Sequence, residues 1–358
     1  MRSFLFKYLK LVRAEERKKG FTLTELLVSI IIGSLIVTGL MSLVVELIST
    51  ETRETARTET QREMNMALSF ISTDLREAVY VYDGDCLARQ NQAATVCSGL
   101  FANNYIPTPE NSVPILAFWK LEELPEAVKD GCRTNRGDLA NYTIGGNPVP
   151  CIAGRAYTLV VYYLSRNDSG DPTWPGKARI LRYTLSRYNR SGGAISGYVD
   201  PTQNTSFESW PLDNGGNNLQ DGSPSLRENP AVPLVDFVDD RAMNEIPELV
   251  DAGGASVECP QSYVLTPSDA TLDGSGFSGM RNFYGCVRDE ISRQSSSQSE
   301  GEAESQTAFN QKVILFLRGN AAGKPGIRNA NEGFMPAIQT QVLNRGVRNK
   351  KPSQQLLQ

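Results

Sequence analysis

The chain has 358 residues, of which 40% are hydrophobic and 21% charged, enough apolar surface for one large domain or two average ones. It contains no histidine, which excludes Ser-His-Asp and Cys-His catalysis, histidine general bases and histidine metal ligands. The net charge of −4 is uneven: residues 1–20 carry seven Lys/Arg against two Asp/Glu, and the acidic remainder argues against nucleic acid as a partner.

Residues 1–20 form a basic leader, and from Leu26 to Val45 twenty residues pass without a charge. At about 1.5 Å per residue such a run spans roughly 30 Å as a helix, the thickness of a bilayer core. Leu, Ile and Val dominate it and no proline interrupts it. The flanking positive charge places the leader on the cytoplasmic side and the rest of the chain outside. A cleaved secretory signal would have an apolar stretch of about 7–15 residues and a small-residue cleavage site. Here the run is longer, and Glu46-Leu47-Ile48 follows it. Glu25 lies just inside the apolar side. A lone carboxylate in a membrane costs about 2.5–3.5 kcal/mol on insertion scales, so it calls for a partner.

The segment "RKKGFTLTELLVSIIIGSLIV" (17–37) resembles the prepilin signature of type IV pilins and type II secretion pseudopilins. The resemblance implies cleavage between Gly20 and Phe21 by a prepilin peptidase, N-methylation of Phe21, and Glu25 as the fifth residue of the mature chain. Phe21 and Glu25 are four apart and share one helix face. The new ammonium of one subunit could neutralise Glu25 of a neighbour and fix the register between them. Partners implied are other pilins or pseudopilins along the helix, the peptidase and an inner-membrane assembly platform.

The helix is expected to continue past the apolar run, with 21–48 its transmembrane half and 49–82 its exposed, amphipathic half. "STETRETARTETQRE" (49–63) has no Pro or Gly and mixes both charge signs, which suggests solvated helix. Met64, Ala67, Leu68, Ile71, Leu75 and Ala78 then recur at three- and four-residue steps, a stripe for packing on a globular domain. "SFISTDLREAVYV" (69–81) resembles the helix end of J-type minor pseudopilins.

Residues 83–345 are expected to form a β-rich head and 346–358 a flexible tail. "RAYTLVVYYLSR" (155–166) and "KARILRYTLSRY" (177–188) flank "NDSGDPTWPG" and predict antiparallel neighbours. Further strands are expected in 113–121, 233–238, 283–289 and 312–319. Strands and helices do not alternate, and no phosphate loop or Gly-x-Gly-x-x-Gly occurs, so neither a parallel nucleotide-binding sheet nor a cofactor is expected. The fold class is therefore α+β and pilin-like: a long N-terminal helix packed on an antiparallel sheet with long loops.

Six cysteines, Cys86, Cys97, Cys132, Cys151, Cys259 and Cys286, follow the apolar run without a Cys-x-x-Cys pair. An even number outside the cytoplasm points to disulfides. Pairing between sequence neighbours (86–97, 132–151, 259–286) is the least demanding arrangement. Residues 292–307 are Ser/Gln/Glu-rich and 189–231 Gly/Asn/Ser/Pro-rich, and both suggest poorly ordered loops. Within the second, Asp213, Asn214, Asn217, Asn218 and Asp221 could offer oxygens to calcium, but EF-hand spacing is absent and turn chemistry explains them. No metal site is expected. The pair Asp239-Asp240 suggests a solvated strand end. Trp119, Trp174 and Trp210 could stack on sugar rings but fit core or loop anchors better.

Over its whole length the chain is similar to the pseudopilins of cyanobacterial hormogonium polysaccharide secretion. The long body, the paired strands and the ending "QTQVLNRGVR" (339–348) carry that similarity. It implies a minor, non-enzymatic subunit of a type IV pilus-like machine exporting polysaccharide for gliding motility. A pilus-tip subunit or an anchored glycan-binding adhesin is the alternative use of the same plan.

Overall fold

From Leu23 to Arg76 the chain is one helix of 54 residues, α1. The computed structural model describes residues 20–88, 98–168, 170, 172–246, 259–289 and 308–347. The chain divides into two compact units between Arg53 and Glu54. In the first, every large apolar side chain from Phe21 to Ile48 is exposed. A helix apolar all round has no single face to bury in a soluble core. By length and composition it can cross a membrane. Its Ser and Thr hydroxyls donate back to helix carbonyls: Ser29 to Glu25 at 2.7 Å, Ser34 to Ile31 at 2.9 Å and Thr38 to Ser34 at 2.7 Å. These polar groups therefore need no water.

In the second unit α1 becomes one-sided. Ala56, Thr60, Met64, Ala67, Leu68, Ile71 and Leu75 are buried. The solvated spacer expected over 49–63 is thus shorter, because burial begins at Ala56. Thr60 can be buried because its hydroxyl donates to the Ala56 carbonyl at 2.9 Å. Gly319 lies against this stretch: a Cβ there would meet Met64 at 2.9 Å and Thr60 at 3.2 Å. Lys324 adds a charge contact to Glu63 at 2.9 Å.

The helix also ends earlier than expected, at Arg76 and not near residue 82. Ala78–Val81 is strand β1. Val79, Tyr80 and Val81 are β-formers, and pairing with a neighbouring strand outweighs one more helical turn. Ala78 continues the helical spacing in sequence but stands in the strand.

The remaining strands are β2 (Ser112–Glu123), β3 (Thr143–Ile144), β4 (Asn147–Pro148), β5 (Arg155–Arg166), β6 (Ala178–Leu185), β7 (Val232–Val238), β8 (Val264–Thr266), β9 (Phe283–Asp289), β10 (Ala308–Leu317) and β11 (Ile338–Val347). Short helices α2 (Gly84–Ala88), α3 (Glu126–Thr134), α4 (Asp269–Gly274) and α5 (Ala330–Gly333) lie between them. One sheet has the order β1-β2-β5-β6-β7, and the second β11-β10-β9-β8. The pairings within both sheets are antiparallel. The expected β5–β6 pair is present, with Leu159 opposite Leu185 and Arg166 opposite Ala178. The fold is α+β, a long apolar helix followed by an antiparallel β-sheet head. β3 and β4 form a separate hairpin turning through Gly145 and Gly146, both at positive φ, as a tight two-residue turn requires.

Side chains alternate along β5. Val160, Tyr162 and Leu164 join a core shared by the α1 stripe and the inner face of the second sheet (Val313, Leu315, Leu317). Leu159, Val161 and Tyr163 face the other way, into a second core with Trp119 and Tyr183. That second core is closed by the 189–231 segment, which contributes Ile195, Val199, Phe207 and Trp210. The expectation of poor order there is overturned: the segment lacks strands of its own but is the cover of a sheet face. Residues 292–307 lie outside the described residues.

Candidate functional site

Two places on α1 concentrate polar chemistry, its first turn and its last. At the start, Gly20 and Phe21 precede the helix and Phe21 is 83% exposed. Thr22 stands at the N-cap. Its hydroxyl accepts from the Glu25 amide at 3.3 Å, and Glu25 Oε2 accepts from the Thr22 amide at 3.2 Å and the Thr22 hydroxyl at 3.1 Å. This is a reciprocal capping box, which satisfies two of the amides a helix start leaves without partners. The negative charge also sits at the positive end of the helix dipole. Glu25, which the apolar surroundings left unexplained, thus has a partner within its own chain. The pattern Thr-x-x-Glu before an apolar run was present in the sequence and would have revealed it.

At the last turn, Asp74 is buried against the five-stranded sheet. Its Oδ1 accepts from Lys120 Nζ at 2.9 Å, and Oδ2 from Tyr162 Oη at 2.7 Å and Arg182 Nε at 2.8 Å. The donors come from β2, β5 and β6, so one carboxylate joins the helix to three strands. Burial alone would raise its pKa, but the bonds from Tyr162, Arg182 and Lys120 outweigh that and hold it below the ordinary value. Lys120 also meets Glu122 at 3.0 Å. These contacts keep the lysine pKa above its usual value despite burial. Nothing in the helical spacing singles out Asp74. Only its place on the apolar stripe, three residues after Ile71, hints that it is buried.

The disulfides Cys132–Cys151 and Cys259–Cys286 are formed. Cys86 is disulfide-bonded as well, and Cys97, its expected partner, lies outside the described residues. Cys132–Cys151 ties α3 to the residues just after the β3–β4 hairpin, and Cys259–Cys286 anchors β9 to the segment before β8.

The Asp239-Asp240 pair is not a solvated strand end. Asp239 is fully buried, held by Arg241 at 3.1 and 3.2 Å and by the Asn320 amide at 2.8 Å. Asp240 is half-buried, and burial followed by the charge of Asp239 raises its pKa. In the 213–222 turn, Asp213 accepts from the amides of Gly215 and Asn217, both at 2.8 Å. Among the described residues no group of three acidic or cysteine side chains could hold a metal ion. Trp119 and Trp210 are fully buried and stack edge to face at 5.4 Å, so neither offers a face to sugar. Trp174 lies under the Arg179 guanidinium at 5.4 Å.

Residues 17–41 match the prokaryotic N-terminal methylation motif, which indicates a type IV pilin-like or pseudopilin-like subunit. The matched stretch contains Gly20, Phe21, the whole capping box and most of the exposed apolar segment. No curated protein and no solved structure matches the chain.

Proposed function

We propose that this chain is the precursor of a minor pseudopilin, a structural subunit of a type IV pilus-like apparatus with no catalytic activity of its own. The observation that supports it best is the continuity of three features: the methylation motif at 17–41, an apolar helix exposed all round, and a buried stripe built into a large β head. On this reading a prepilin peptidase cuts between Gly20 and Phe21, and Phe21 is then methylated at its new amine. The basic leader stays cytoplasmic, residues 21–48 cross the inner membrane once, and the β head lies outside the cytoplasm.

Cleavage places an ammonium at the positive end of the helix dipole, where it is disfavoured. Glu25 offsets that charge. While the subunit stands alone, its carboxylate is held by Thr22. In a fibre, the ammonium of a neighbouring Phe21 competes with Thr22 for the same carboxylate, so exchanging one partner for the other sets the register between subunits. The bulky head fits a minor subunit, and the resemblance of the long body, the paired strands and the ending 339–348 to polysaccharide-export pseudopilins supports export of a polysaccharide for motility as the task of the machine. Other pseudopilins, the peptidase and the assembly platform are the protein partners. The decisive experiment is the mass of the mature chain in a strain with and without its prepilin peptidase. Loss of residues 1–20 plus one methyl group, only when the enzyme is present, is the expected result. An unshortened chain in both strains rejects the reading.

A further inference from the structure

Between the apolar segment of α1 and its buried stripe lie seven residues, Ser49 to Thr55, and none of their side chains is buried. To one side, the uncharged run from Leu26 to Val45 has the length and composition of a membrane span. A helix resists opening in hydrocarbon, where a freed amide or carbonyl finds no water. To the other side, burial begins at Ala56 and Thr60, and Met64, Ala67, Leu68, Ile71 and Leu75 join the core. The seven residues between have neither support. A short helical stretch in water is marginal when only its own propensity maintains it.

That propensity is low. Ser49, Thr50, Thr52 and Thr55 are hydroxyl residues, and three of them are β-branched, so they form helix less readily than alanine or leucine would. Thr50 donates its hydroxyl to the Glu46 carbonyl at 3.0 Å, and Thr52 to the Ile48 carbonyl at 2.8 Å. In hydrocarbon such bonds shelter a hydroxyl, but in water they favour bending of the helix.

Charge acts in the same direction. Arg53 and Arg57 stand four apart, where like charges repel. Glu59 and Glu63 repeat that spacing one turn later, but Lys324 bridges them at 3.5 and 2.9 Å. Among the described residues no acid bridges Arg53 and Arg57; Glu54 meets Arg57 alone, at 3.9 Å. The boundary between the two compact units falls inside the same stretch, between Arg53 and Glu54.

We propose that Ser49–Thr55 is a hinge at which α1 unwinds ahead of the rest of the helix and bends. Opening there lets the head change direction against the apolar segment while the buried stripe stays packed. The hinge requires that 21–48 be held in a bilayer and does not require a cut at Gly20, so it goes beyond the pseudopilin reading.

The test is hydrogen–deuterium exchange of the full chain in lipid nanodiscs, read by mass on peptides covering 49–55 and 66–74. An exposed helix that stays closed protects its amides, so exchange reports opening and not exposure. Residues 49–55 are expected to exchange at least about 10-fold faster than 66–74. In Thr50→Ala/Thr52→Ala/Thr55→Ala, the higher helix propensity is expected to slow exchange of 49–55 about 10-fold and to leave 66–74 unchanged. Spin labels at Val45 and Met66, both exposed, follow the bend itself. A rigid helix holds these positions about 32 Å apart in one narrow distribution. The hinge is expected to give a broad distribution that narrows in the triple variant. Protection of 49–55 equal to that of 66–74, exchange unchanged by the three alanines, or a single narrow distribution in the wild type overturns the proposal. Leader removal is read by mass on the same preparations, so failure of the hinge is distinct from failure of the pseudopilin reading.

Discussion

Asp74→Asn tests the idea that one buried carboxylate fixes α1 to the sheet. The substitution keeps the shape but removes the charge that Lys120 and Arg182 face, and puts an amide donor where an acceptor stood. Lys120 is buried and retains Glu122 at 3.0 Å and Glu77 at 3.6 Å, whereas Arg182 keeps Glu122 at 3.9 Å and the Phe70 ring at 5.9 Å. Hydrogen bonds to charged groups contribute about 1.5–3 kcal/mol each, and breaking a buried pair from one side costs about 3–5 kcal/mol. With part of the network intact, the expected loss at pH 7 is about 3 kcal/mol. Tyr162→Phe, which removes one donor and no charge, should cost about 1 kcal/mol. Urea unfolding of the full chain in micelles, followed by the fluorescence of buried Trp119 and Trp210, measures both. The pH dependence supplies a second reading. The Asp74 pKa is lower in the folded state, so its stabilisation is complete above the ordinary carboxylate value of 3.8 and disappears as pH falls through the folded value. The gap between wild type and Asp74→Asn should therefore narrow on acidification below about pH 4. A loss under about 1 kcal/mol at pH 7, or a gap as wide at pH 2.5 as at pH 7, refutes the argument.

Gly20→Ala should leave the leader attached, so the chain recovered from membranes keeps the mass of the precursor; a mature mass identical to that of wild type would contradict the proposed cut. Glu25→Ala removes half of the capping box, a cost of about 0.5–2 kcal/mol confined to the first helical turn. Membrane fractionation should be normal while incorporation into fibres falls, and normal incorporation would show that register does not depend on this acid. The double variant Cys132→Ser/Cys151→Ser opens a loop of 19 residues and should lower stability by about 3 kcal/mol, measured by thermal unfolding under oxidising conditions. If the melting temperature does not move, the bond does not brace the hairpin.

Where the sequence carries strong periodicity or strong β-formers, its elements could be read almost to the residue: β5 spans Arg155–Arg166 and β9 Phe283–Asp289, as expected. The misses have separate physical causes. Ala78 lies on the helical spacing, but spacing ignores the competing gain when Ala78, Tyr80 and Val81 pair with Lys120, Trp119 and Phe118. Strand β11 was missed because "IQTQVLNRGV" has few apolar residues, a mixed pattern that suits a strand with one neighbour. The 189–231 segment was misjudged because composition reports the absence of a repeat and says nothing of burial. Its Phe207 and Trp210 were a usable signal, as was the unbroken apolar run of β2, since a strand apolar on both faces needs a cover on each. At the start of α1 the motif could be read in full, yet Thr22-x-x-Glu25 carried a second, local meaning alongside the first. The Asp74 network depends on contacts between residues far apart in sequence, which one-dimensional patterns do not encode.

The five-stranded sheet, buried on both faces, separates two kinds of constraint. Its inner face must fit the buried stripe of α1 and the second sheet, so each side chain there answers to a regular element. Its outer face is covered by the 189–231 segment together with the short helix α2. A change in the 189–231 cover reaches α1 through the hydrogen-bonded strands between them, which resist deformation. Side chains on one face of the sheet can thus change while the packing of α1 on the other is kept.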